Sequence, residues 1–221
     1  VVMGCPTENE VLMDILEFGE AAKTARELKK VKMGLLPYRC GVMTNTFVDE
    51  LSLMKNLGPV LKYISVAELF STSQEIKDEE VRTFIRYLKT NYEVIGVSDE
   101  SLFVAAKVSL SLARVVEKNA LDAIAMDDLN EELHKVMKTR PCLYVPSMYE
   151  KGVVVGMEGD LSCTTAMVIL SMVSKNAPMF TEIFAFDKSN NTLLMGHAGM
   201  HDVRLAKSRE HVEVTVDYEY E

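Results

Sequence analysis

The sequence has no surplus of basic residues: 24 Lys and Arg stand against 33 Asp and Glu, a formal charge of −9. That argues against a nucleic-acid backbone as the main partner, because nothing is in place to replace its condensed counterions. Long apolar runs are also missing. The longest mainly apolar stretch, residues 166–173, is far too short to span a bilayer, and no charged head with an apolar signal core opens the chain. The four cysteines, Cys5, Cys40, Cys142 and Cys163, include no Cys-x-x-Cys pair. Zinc-ribbon and thioredoxin-type readings therefore fail on spacing, and scattered thiols of this kind suit a reducing cytosol. There is no Gly-x-Gly-x-x-Gly or phosphate-loop motif, no internal repeat and no low-complexity stretch.

What is present is enough apolar material for a core. Hydrophobic residues make up 48% of the 221, which excludes intrinsic disorder, and the 14 methionines are read as core filler. The length exceeds one ordinary domain and falls short of two. The chain starts at Val1 without Met and stops at Tyr218-Glu219-Tyr220-Glu221 inside a strand-like pattern, so a fragment of a longer protein is expected.

The pattern of periodicities predicts alternating helices and strands. Residues 9–30 read as a helix with an apolar stripe of Val11, Leu12, Ile15, Leu16 and Phe18, followed by a buried strand over 31–36 that Pro37 ends. A helix over 44–57 and a strand over 60–66 come next. Asp78 is expected to cap a helix whose Val81, Phe84, Ile85 and Leu88 share one face. A strand over 94–97 leads into a long helix over 98–119, apolar nearly all round and so buried. Strands over 121–126 and 153–155 precede helices over 129–138 and 161–175. Such alternation requires a doubly wound, mainly parallel α/β sheet of Rossmann-like form.

After residue 175 the pattern changes. Residues 179–186 and 192–195 flank the polar turn Asp187-Lys188-Ser189-Asn190-Asn191 and predict a β-hairpin, and residues 211–217 alternate as a half-buried antiparallel strand should. The expected division is a linking helix from a preceding N-terminal domain (1–29), a central α/β domain (30–176) and the opening of a β-rich C-terminal domain (177–221).

Three places could carry chemistry. Gly156-Met157-Glu158-Gly159-Asp160 lies between a strand and a helix, where ligands bind in doubly wound sheets. Asp160 is read as a helix cap, whereas Glu158, flanked by glycines, would point into the crevice. Glu182 sits in an otherwise apolar strand and must face water, a partner or a metal; an outward-facing strand residue is the plain alternative. Gly196-His197-Ala198-Gly199-Met200-His201 ends the hairpin. His134 and His211 are read as structural. Two carboxylates and an imidazole suit Mn²⁺ or Mg²⁺ better than zinc or copper.

The order Gly156-x-Glu158-Gly159-Asp160 opening a helix, then an acid on a strand, a hairpin, and Gly196-His197 at its end resembles the L-arabinose isomerase/L-fucose isomerase family. The resemblance runs from the helix before Val31 to His197. It implies a sugar isomerase acting on a small aldose or ketose through an enediol, with Glu158 and Glu182 as catalytic residues and Glu158, Glu182 and His197 as ligands of Mn²⁺ or Mg²⁺. Where the family has Gly-x-His-Met, this chain has Gly-His-Ala-Gly-Met, which makes His201 the alternative to His197. It further implies a cytoplasmic enzyme, homo-oligomeric at full length, with no nucleic-acid or membrane partner. The segment alone would be inactive, since a further histidine and the N-terminal domain of the family have no counterpart here. The competing reading is a non-catalytic sugar-binding or regulatory α/β module, with Tyr38, Tyr144 or Tyr149 lining a metal-free crevice.

Overall fold

A computed structural model describes residues 3–217; the strand-like Tyr218-Glu219-Tyr220-Glu221 ending lies outside them. Four parallel strands form the central sheet: β1 (Lys32–Leu36), β2 (Val60–Tyr63), β4 (Ala123–Met126) and β5 (Val154–Gly156), in the order β2-β1-β4-β5. Every residue of β4 and β5 is buried, as is all of β1 after Lys32. This is why those segments read as unbroken apolar runs rather than alternating ones. The expected doubly wound α/β class is what forms, with a separate antiparallel hairpin, β6 (Glu182–Asp187) and β7 (Thr192–Gly196), near the C-terminal end.

Helices cover the sheet and start where their caps dictate. In α5 (Asp99–Lys118) the Ser98 hydroxyl accepts the Ser101 N–H at 3.0 Å; in α6 (Glu131–Met137) Asn130 does the same for Leu133 at 3.0 Å. In α8 (Leu161–Ser174) the Asp160 carboxylate accepts from Cys163 N–H at 2.8 Å, as its place in the sequence foretold. Only the ends of α5 are exposed, in keeping with its apolar circumference.

Five local expectations are corrected. The helix over 44–57 is two pieces, a 3₁₀ turn at Thr44–Thr46 and α2 (Glu50–Asn56), because Asp49 caps a new start by accepting Ser52 N–H at 3.0 Å. The strand expected to reach residue 66 stops at Tyr63, since Ser65 caps α3 (Val66–Glu75), a Ser-x-x-Glu start hidden inside an apolar run. Asp78 does not cap α4 (Asp78–Asn91) but is its first residue, and Lys77 holds the cap position, its N–H donated to Glu80 at 3.0 Å. The segment around Val94, β3 (Glu93–Ile95), lies outside the central sheet and pairs with β8 (Glu213–Thr215). That pairing is parallel, not antiparallel, and His211 belongs to a 3₁₀ turn before β8. Alternation fixes which face a strand buries but carries no information on direction.

Two short features complete the frame. α7 (Pro146–Tyr149) fills the connection before β5 with buried Met148 and Tyr149, and α1 (Asn9–Leu28) packs along α8. Of the expected α1 stripe only Val11 is buried; Leu12, Ile15, Leu16 and Phe18 face outward.

Candidate active site

The site grows from the carboxyl end of β5. Immediately after this buried strand, Glu158 and Gly159 both adopt left-handed backbone, with φ of +59° and +62°. Gly159 has no alternative: a Cβ there would come within 2.9 Å of the Tyr38 carbonyl oxygen and 3.2 Å of Arg39 Cα. Glu158 does carry a Cβ, and for such a residue this conformation stores on the order of 1–3 kcal/mol. Two hydrogen bonds to the end of β4 hold the turn. Glu158 N–H donates to Asp128 Oδ1 at 2.9 Å, and Gly159 N–H to the Met126 carbonyl at 3.0 Å.

The turn aims the Glu158 carboxylate at His197. Their Oε1 and Nε2 are 3.5 Å apart, and the side chains are only 12% and 8% exposed. His197 reaches this corner because β7 delivers it: Gly196 pairs with Glu182 across the hairpin, and His197 follows directly. The ring packs edge-on against buried Phe180, centroids 4.7 Å apart. Its Nδ1 meets the Ala198 carbonyl at 2.5 Å. A carbonyl can only accept, so the proton of that bond sits on Nδ1, and Nε2 is the nitrogen that faces Glu158.

The same register brings Glu182 into play. It is exposed at the start of β6, yet its charge acts on Glu158. Burial raises the Glu158 carboxyl above the ordinary glutamate range; His197 offsets part of this, and the carboxylates of Glu182 and Asp128 add to it. Of the three expected ligands, Glu158 and His197 are in contact and Glu182 is their electrostatic neighbour. No cluster of three or more His, Cys, Asp or Glu among the described residues is arranged to hold a metal ion. The donor chemistry nevertheless fits a hard dication, because mutually repelling carboxylates beside an imidazole leave negative charge that a cation would neutralise.

His201 is placed otherwise. Its Nε2 is engaged by the His197 carbonyl at 2.7 Å, and burial lowers its pKa, so its role is to brace the loop that presents His197. His134 is likewise tied to main chain, Nε2 to the Asp128 carbonyl at 2.6 Å. Tyr144 and Tyr149 stack on each other with centroids 4.9 Å apart and are buried, while Tyr38 is half exposed; together they form no aromatic crevice. Asp128 and Arg140 escaped the sequence reading altogether. The available signal was a pair of acids, Asp127-Asp128, ending a fully buried strand at its ligand-binding end. A cavity of about 540 Å³ opens at the other end of the sheet, between α5 and the amino ends of β4 and β5, where Arg114 pairs with Glu80 and Lys151 with Glu117.

Residues 42–176 match the central domain of L-arabinose isomerase. The chain belongs to the L-arabinose isomerase family. The matched segment holds β2, β4 and β5 together with Glu158; β1 precedes it, and the hairpin bearing Glu182 and His197 follows it. The family is one of sugar isomerases whose substrates are small sugars. No curated protein gives a significant sequence match to the chain. No helix among the described residues is long and apolar enough to cross a membrane.

Proposed function

We propose that this chain supplies the catalytic carboxylates of a metal-dependent aldose–ketose isomerase. Supporting it most directly is the contact of a partly buried, left-handed Glu158 with His197 at the carboxyl end of β5, beside the charge of Glu182. Glu158, Glu182 and His197 would hold Mn²⁺ or Mg²⁺, which supplies Lewis acidity toward the oxygens of the sugar. The two glutamates jointly move the protons. One takes the proton from C2 of the aldose while O1 is protonated, giving the enediol; loss of the O2 proton and return of a proton to C1 completes the ketose. Positioned transfer of this kind contributes about 10²–10⁴-fold. The proposal includes a cytoplasmic homo-oligomer in which neighbouring copies complete the sugar pocket.

Glu158→Gln tests this with two opposite signs. In the enzyme containing this chain it should abolish conversion of aldose to ketose, and wild-type turnover would end the assignment. It should also stabilise the fold at neutral pH. The folded chain holds the Glu158 proton more tightly than the unfolded chain, so this group favours folding at low pH. That contribution is lost as pH rises from the ordinary glutamate range through the raised value. A melt by circular dichroism at pH 7 should therefore give a higher Tm for the variant, and added MnCl₂ should raise the wild-type Tm more than the variant's.

A further inference from the structure

We propose that Asp128 and Arg140 are positioning residues for Glu158, forming a buried bridge that fixes the catalytic carboxylate against the histidine loop. The consequence for turnover rests on the isomerase reading; the anchoring itself rests on geometry alone. Asp128 lies two residues past the end of β4, with its side chain 1% exposed, and divides its two carboxylate oxygens between two tasks. Oδ1 accepts the N–H of Glu158, and Oδ2 accepts from Arg140 Nη1 at 2.5 Å. The backbone of Asp128 is held as well, through its carbonyl and His134 Nε2. Without an acceptor at Oδ1, the N–H of a strained, non-glycine left-handed residue would lose the bond that keeps it there.

Arg140 extends the bridge in two further directions. Its second terminal nitrogen pairs with Asp217, just beyond β8. It also lies under the loop that carries His197: a Cβ built on Gly199 would stand 3.9 Å from Arg140 Nη2 and 3.2 Å from Met157 Cε. Gly199, at φ +108°, thus lets the histidine loop settle onto the guanidinium and onto the residue preceding Glu158. One planar fork therefore bonds Asp128 after β4 and Asp217 after β8 while standing beside the histidine loop at Gly199, a geometry that a lysine ammonium cannot reproduce. Fixing both partners of a 3.5 Å contact from one buried group is what supporting residues do around metal and proton-transfer sites.

A buried ion pair that merely stabilised the fold would make a different prediction, so the test measures local against global opening. Amide hydrogen exchange by NMR is compared for Glu158 and for Ile124, which lies in a strand paired on both sides and opens only with the core. In Asp128→Ala, exchange at Glu158 should accelerate at least tenfold more than at Ile124. Asp128→Asn, with one acceptor oxygen for two donors, and Arg140→Lys should show the same bias more weakly; they serve if the alanine variant fails to fold. In the enzyme, kcat should fall by about 10–100-fold, as for other supporting residues, with KM within about threefold. Equal acceleration at both amides overturns the proposal. If Glu158→Gln retains turnover while the local bias persists, the isomerase reading falls and the anchor stands; the reverse pattern removes the anchor alone.

Discussion

The central sheet and the β6–β7 hairpin are built from similar residues and end in opposite environments. Ala123-Ile124-Ala125-Met126 is wholly buried, whereas Ile183, Phe184, Phe186, Leu193, Leu194 and Met195 in the hairpin are all substantially exposed, Phe184 to 59%. The difference is not one of propensity. The inner strands β1 and β4 have a partner on each edge and are buried almost throughout, while the hairpin pairs only with itself. Two isolated strands bury little and are marginal in water. The candidate site straddles this boundary, with Glu158 on the packed side and Glu182 and His197 on the sparsely packed one. A contact made across such a boundary inherits the precision of its stiffer half only if something buried spans both, which is the part assigned to Arg140.

Three substitutions probe that contrast, in descending size. Ile124→Ala should destabilise by about 2–5 kcal/mol, the usual penalty for emptying a fully packed position, visible as a lower urea midpoint. Asp160→Ala removes the cap of the helix that follows the site turn and should lose about 1 kcal/mol. Its effect falls at the junction of the two regions, so it should also loosen the Glu158 turn. Leu194→Ser, on the hairpin at 62% exposure, should change stability by less than about 0.5 kcal/mol. If the hairpin substitution proved as severe as the core one, the two regions would differ far less in support than their burial indicates.

Much of the architecture was legible before any coordinates, for a physical reason: a parallel sheet covered on both faces leaves mainly apolar runs between amphipathic helices, and four of the five runs read as its strands lie in it. What escaped was local chemistry that periodicity does not record. Asp49 and Ser65 redirect the chain by accepting single N–H bonds, and a polar residue inside an apolar stretch is easily averaged away. The direction of β8 was unreadable because residues 93 and 213 hold no information about each other until they meet. At the site, Glu158 was legible from its glycines, and His197 from its place after the hairpin. Asp128 and Arg140 were not, since their meaning depends on a strained φ at a residue from another strand.

The parallel pairing of β3 with β8 has a consequence for biosynthesis. Glu93 emerges from the ribosome about 120 residues before Glu213, its neighbour. At about 5–20 residues per second, β3 waits roughly 6–24 s with an unsatisfied edge, so this short ribbon closes only after the strands of the central layer have already been made.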